Sequence, residues 1–187
     1  MAIKVYIDQG HNPTNPNAGA EGNGYREQDL VYRIGVLTAD ILRANGVDVR
    51  LSRPSASTQL GTSVSSSLKA RVTEANAWGA DVFVSLHANA SDIASASGQE
   101  AFVYALGSRA ETLAKNILTQ LNKTTGLKNR GVFARPSLYV LRRTVMPAVL
   151  VELGFITNGY DADLMANSPE LFARGTANGI LKYFDLL

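Results

Sequence analysis

The run Leu68-Lys69-Ala70-Arg71-Val72-Thr73-Glu74-Ala75-Asn76-Ala77-Trp78, followed by Gly79-Ala80-Asp81 and then Val82-Phe83-Val84-Ser85-Leu86-His87, decides the fold. A helix-like segment meets a glycine turn and then a short, nearly continuous apolar strand. The same alternation extends in both directions. Towards the N-terminus, Ile3 to Ile7 reads as a β-branched strand that runs into a Gly/Asn/Pro-rich loop from Gln9 to Gly24. From Leu30 the spacing becomes helical, with Leu30, Val31, Ile34, Leu37, Thr38, Ile41 and Leu42 on one face, and Asn45-Gly46 ends that helix. Val47 to Leu51 is the next strand, and Ser52 to Ser67, rich in Ser and Thr, reads as a long surface loop.

Towards the C-terminus, Ala101 to Leu106 reads as a strand. A helix from about Arg109 to Thr125 carries Leu113, Ile117, Leu118 and Leu121 inward and stops at Gly126. Leu138 to Leu141 and Ala148 to Leu153 read as two more strands. Ser168 and Pro169 mark the N-cap and first turn of a last helix reaching about Tyr183. Strands joined by amphipathic helices predict an α/β fold: one domain over residues 1–187, with a mainly parallel twisted sheet of about six strands and helices on both faces. No linker, repeat or low-complexity segment divides the chain.

Hydrophobic residues make up 45% of the 187 and charged residues 18%, a globular balance with enough chain for a full core. The formal net charge of +2 is spread over scattered Lys and Arg, which argues against a nucleic-acid partner. No apolar run approaches the ~20 residues of a membrane span. The start, Met1 to Asp8, reads as the first strand and not as an export signal, so either the chain is made without a signal or the signal is absent from this sequence. With no cysteine, any transition metal must be held by His, Asp or Glu, and the chain has only two histidines.

In open parallel sheets, ligands bind beyond the carboxyl ends of the strands. His11 follows the first strand directly, His87 ends the strand Val82 to Leu86, and Glu152 ends the strand Ala148 to Val151. Glu27 stands at the start of the first long helix, whose N-terminus faces the same edge. Two imidazoles and one carboxylate leave a fourth zinc position open for water, and a second carboxylate that does not bind metal can move the proton. Each residue also has a plainer explanation. His11 suits an exposed loop, His87 a hydrogen-bonded core histidine, and Glu27 a first-turn carboxylate on the helix dipole. Glu152, inside Val149-Leu150-Val151-Glu152-Leu153-Gly154-Phe155, is the hardest to explain that way, because burying an unpartnered carboxylate costs several kcal/mol. On spacing alone, Glu27 and Glu152 are left to divide the roles of ligand and base.

At these residues the chain resembles the zinc-dependent N-acetylmuramoyl-L-alanine amidases of the Amidase_3 family. The likeness runs through Asp8-x-Gly10-His11, Gly22-Asn23-Gly24, Glu27-x-Asp29-Leu30, Ser67-Leu68-x-x-Arg71, Ala75-Asn76 and Gly79-Ala80-Asp81. It continues through Ser85 to Ala90, Gly126 to Val132 and Val140-Leu141-Arg142, and closes with Met146 to Asn158. The resemblance implies one zinc ion held by His11, Glu27 and His87, with Glu152 as catalytic glutamate. It implies a peptidoglycan substrate, cut at the amide between N-acetylmuramic acid and L-alanine of the stem peptide. Beside that substrate no nucleic acid, no membrane and no obligate protein partner is expected. The turn Gln9-Gly10-His11-Asn12-Pro13 departs from the family's usual Gly-rich sequence, which puts Gln9 and Asn12 next to a ligand. Asn89 is expected to order its strand end, and the Ser52 to Ser67 loop diverges.

Two rivals stand beside this reading: a glycosidase using Glu27 and Glu152 as paired carboxylates, and a wall-binding relative with little catalysis. The setting expected is the cell wall, reached by a phage endolysin, by a mother-cell enzyme released at sporulation, or by the catalytic domain of a larger secreted hydrolase.

Overall fold

Successive side chains of a strand point to opposite faces of its sheet, so two residue sets in each strand need two covering layers. The computed structural model describes residues 2–187. In chain order its elements are β1 (Lys4–Gln9), β2 (Glu21–Gly22), β3 (Tyr25–Arg26), α1 (Glu27–Ala44), β4 (Asp48–Leu51), α2 (Val64–Trp78) and β5 (Val82–Asn89). They continue with β6 (Gln99–Val103), α3 (Arg109–Thr125), β7 (Asn129–Ala134), α4 (Tyr139–Arg143), β8 (Ala148–Phe155), α5 (Gly159–Asn167) and α6 (Pro169–Tyr183). The main sheet has six strands in the order β4-β1-β5-β8-β6-β7. Strands β4, β1, β5 and β8 run parallel, β6 pairs antiparallel with β8, and β7 runs parallel to β6.

One face carries Val5, Ile7, Val82, Val84, Leu86, Val149, Val151, Ala101 and Val103, and helices α1, α3 and α6 cover it in the larger core. The other face carries Tyr6, Phe83, Leu150 and Phe102, covered by Val72 and Ala75 of α2 and by Val140 and Leu141 of α4. This second cover is short, because α4 is little more than one turn. Towards the carboxyl ends of β1, β5 and β8 this face changes from apolar to polar, and α2 still reaches it there through Arg71. The polar residues towards those ends, on the same face as Tyr6 and Phe83, are Asp8, Ser85, His87, Glu100 and Glu152, with Asp8, Ser85 and Glu100 buried.

The α/β class, the mainly parallel six-stranded sheet and the helices on both faces all match the sequence expectation. Its sixth strand was misplaced. Leu138 to Leu141 is not a strand: Leu138 precedes helix α4, and the sheet takes Asn129–Ala134 instead. The strand expected over Ala101 to Leu106 is Gln99–Val103. The loop from Ser52 is shorter than expected, since Ser63 opens α2 with a reciprocal cap to Ser66, and its first residues, Ser52 and Arg53, are buried. Ser168 occupies the N-cap position of α6 but its side chain makes no cap hydrogen bond. Among the described residues, no helix is long and apolar enough to cross a membrane.

Candidate active site

Strand register sets the site. His87 of β5 lies opposite Glu152 of β8, and Glu152 lies opposite Glu100 of β6, so three polar side chains form one row across three strands. The row beneath, Ser85, Leu150 and Phe102, is buried. In the polar row His87 and Glu152 are half-buried and Glu100 is buried.

His11 joins this row from the loop after β1. Its backbone is left-handed, φ +66°, which is uncommon for a residue with a Cβ. The turn lets the ring fold back over the sheet edge, and the two imidazole rings meet edge to face with centroids 4.8 Å apart. Gly10 makes room for this: a Cβ there would sit 2.5 Å from His87 Cε1 and 2.7 Å from the Leu86 carbonyl. Glu27, the first residue of α1, enters from the other side. Its Oε2 accepts from the Ala20 N–H at 2.9 Å and its Oε1 from the Ala88 N–H at 3.0 Å. The hairpin β2–β3 leads into it, tied to the end of β8 by Asn23 Nδ2 donating to the Ile156 carbonyl.

Three donor atoms therefore converge. Glu27 Oε1 is 3.1 Å from His11 Nε2 and 3.0 Å from His87 Nδ1, and the two ring nitrogens are 3.1 Å apart. Four zinc ligands at ~2.0–2.1 Å define a tetrahedron with edges of about 3.3 Å, so the three atoms already form nearly one face of it. Two imidazoles and a carboxylate are also donors that zinc accepts without a thiolate. Burial alone would raise the Glu27 carboxyl, but the hydrogen bonds and charge of His11 and His87 outweigh it and hold Glu27 well below the usual carboxylate range. The residues fit a divalent transition metal.

Glu152 stands apart from this trio. Its Oε2 is shut off from solvent and has no protein partner. Burial, then the charges of Glu27 and Glu100, push its carboxyl up to about 8, against a smaller opposing pull from Arg135. A carboxyl poised near neutrality, beside three convergent donors, is suited to taking and returning a proton.

Several neighbours were not assigned a role from sequence. Glu100 is buried and held by Arg130 Nε at 2.8 Å and Asn89 Nδ2 at 2.9 Å. Arg130 reaches it through a register shift between β6 and β7, the usual way a bulge re-aims a side chain. Asn89 does more than end its strand, since it anchors Glu100. Arg135 lies 4.4 Å over the Phe102 ring and, among the described residues, has no carboxylate within ion-pair distance. The strand Gln99–Val103 was the signal for Glu100, but Gln99 and Glu100 were read as preceding a strand that starts at Ala101. Gln9 and Asn12, expected beside the ligand, serve the loops. Gln9 turns to the opposite face and bonds Arg53, while Asn12 ties Pro16 and Leu60 together.

Asp8 and Arg71 form a buried ion pair beneath the site, 2.5 Å between Oδ1 and Nη1. Burial raises the Asp8 carboxyl, but Arg71 and the Ser85 hydroxyl outweigh it and keep it below its ordinary value. Above them a cavity of about 140 Å³ opens beside both histidines, walled by Leu68, Leu138, Val140 and Leu150. A larger cavity of about 520 Å³, between Tyr104, Arg109, Leu141 and Met146, contains none of the site residues.

A sequence model for the family Amidase_3, described as N-acetylmuramoyl-L-alanine amidase, matches residues 5–182. The N-acetylmuramoyl-L-alanine amidase CwlM of Bacillus licheniformis is 34% identical over 98% of this chain and 70% of its own length. The endolysin of Bacillus phage SPP1 is 35% identical over the whole of this chain and 68% of its own. Among solved structures, the catalytic domain of CwlV, an N-acetylmuramoyl-L-alanine amidase from Bacillus (Paenibacillus) polymyxa var. colistinus, superposes with a TM-score of 0.86 at 31% identity, covering 99% of both chains.

Proposed function

Since the chain belongs to the Amidase_3 family of N-acetylmuramoyl-L-alanine amidases, we propose that residues 1–187 form one catalytic domain in which His11, Glu27 and His87 hold a single zinc ion and Glu152 is the catalytic glutamate. The substrate is peptidoglycan, and the bond cut joins the lactyl group of N-acetylmuramic acid to L-alanine of the stem peptide. The observation that carries this reading is the convergence of His11 Nε2, Glu27 Oε1 and His87 Nδ1 to within 3.1 Å, with Glu152 next in register to His87.

Zinc bound at those three atoms supplies a Lewis acid for the scissile carbonyl and brings the pKa of a water down from 15.7 to roughly 7. The chain's own residues do the rest. Glu152 accepts the proton of the attacking water and passes it to the departing alanine nitrogen. Burial and the charges of Glu27 and Glu100 raise the Glu152 carboxyl to about 8, and a dication beside it would act in the opposite sense. Glu100, pinned by Asn89 and Arg130, keeps a second negative charge beside Glu152 and favours its protonated form. The site of action is the cell wall, as for a wall amidase or an endolysin.

Replacing Glu152 tests the division of roles. Glu152→Gln is expected to keep one zinc per chain by elemental analysis while losing nearly all release of alanine amino groups. Glu27→Gln is expected to lose both metal and activity. If Glu152→Gln lost the metal and Glu27→Gln kept it, the two carboxylates would have the opposite roles.

A further inference from the structure

Arg71 reaches the site from α2, some sixty residues along the chain from the atoms it holds, and both of its terminal nitrogens are used. Nη1 donates to Asp8 Oδ1 at 2.5 Å and to the Gln9 carbonyl at 2.6 Å, and Nη2 donates to the His11 carbonyl at 2.5 Å. The side chain is 1% exposed. Asp8 in turn accepts the Ser85 hydroxyl at 2.7 Å through its other oxygen, and Ser85 stands two residues before His87 on β5. One network therefore grips the backbone of His11 on one side and the strand of His87 on the other. The His11 conformation needs such a grip. At φ +66° a residue with a Cβ leaves the left-handed region unless its surroundings hold it there.

We propose that Arg71, braced by Asp8 and Ser85, is a positioning residue for the metal: its planar fork locks the left-handed turn that aims His11 Nε2 at His87 Nδ1 and Glu27 Oε1. This inference rests on the reading of His11 as a ligand. A lysine cannot replace the fork. Its single ammonium can meet Asp8 but cannot span the Gln9 and His11 carbonyls with two coplanar donors. Loss of the grip frees the turn and spreads the donor trio before it affects the rest of the fold.

The test is zinc affinity at matched stability, measured by competition with a chromogenic chelator, together with the visible spectrum of the cobalt(II)-loaded protein. Arg71→Lys is expected to weaken zinc about 10- to 100-fold, the range for residues that orient a ligand from behind, and to alter the cobalt bands. Gly179→Ala is the stability control: a Cβ there would sit 2.3 Å from Ile117 Cα in the α3–α6 contact, away from the site. It is expected to lower the melting temperature and leave zinc affinity unchanged. If Arg71→Lys does not fold, the Asp8→Asn/Arg71→Met double variant removes the buried charge pair together and is expected to weaken zinc to the same degree. Unchanged affinity in the folded Arg71 variants, or an equal loss in Gly179→Ala, would overturn the positioning role. A wild-type chain that takes up no zinc would overturn the ligand reading and this inference together, whereas wild-type uptake with unchanged variants overturns this inference alone.

Discussion

Glu152 was legible because of its neighbours: a carboxylate between Val151 and Leu153 needs either a partner or a use, and the structure gives its Oε2 no protein partner. Glu100, as well buried, went unread because its strand begins two residues earlier than the apolar pattern suggests. His11 and His87 were legible as a pair only because both lie at the carboxyl ends of strands of one sheet, His11 just after β1 and His87 within the last residues of β5, and neither stood out alone. The raised Glu152 carboxyl also has a consequence for stability. Below its ordinary pKa of 4.5 it is protonated whether the chain is folded or not, and contributes nothing. Between 4.5 and about 8 the unfolded chain ionises it while the folded chain keeps the proton, so stability falls as pH rises. Above about 8 the full penalty is present. In chelator-treated protein, Glu152→Gln should therefore raise the melting temperature by several degrees at pH 9 and leave it unchanged at pH 4. An equal shift at both pH values would contradict the burial argument. Gly10→Ala should lose zinc affinity, because the added methyl cannot coexist with the His87 ring in its present place. Chelator competition on this variant checks it, and wild-type affinity would show that the ring can move aside.

Among the elements, the long amphipathic helices and the β-branched strands β1 and β4 were read correctly, whereas α4 and β7 were not. Helix α1 showed itself through Leu30, Val31, Ile34 and Leu42, all buried. Helix α4 was taken for a strand because four apolar residues in a row fit either period. Strand β7 has only the short apolar run Val132-Phe133-Ala134: it is an edge strand, four of its six residues exposed, that pairs with β6 alone. Helix α5 is only nine residues long and is marked mainly by Asn158 accepting from the Asp161 N–H, a cap signal without an amphipathic stripe behind it. The contact between α3 and α6 depends on Gly175 and Gly179, where a Cβ would lie 2.8 Å from Leu121 Cα and 2.3 Å from Ile117 Cα. Overpacking of this kind costs ~1–3 kcal/mol, about 2–4 °C of melting temperature for each kcal/mol in a domain of this size. Thermal unfolding of Gly179→Ala should show that loss, and an unchanged melting temperature would mean the two helices can slide apart at no cost.

At the scale of the molecule, the class of fold and the edge of the sheet that carries the chemistry were both readable from alternation alone. The face was not. That the site lies on the α2–α4 side follows from strand register, which no local pattern announces. Helices α1, α3 and α6 cover one face and α2 and α4 the other, and the cleft beside the histidines opens on the second side, walled by Leu68, Leu138 and Val140. The central claim is that this cleft cuts the lactyl–alanine amide with metal held by His11, Glu27 and His87. Its most direct test is the end-group analysis of purified peptidoglycan digested by zinc-loaded protein and by the same protein after chelation. The account predicts new N-terminal alanine without new reducing sugar ends, lost on chelation and restored by zinc. New reducing ends without alanine amino groups, or release unaffected by chelation, would contradict it.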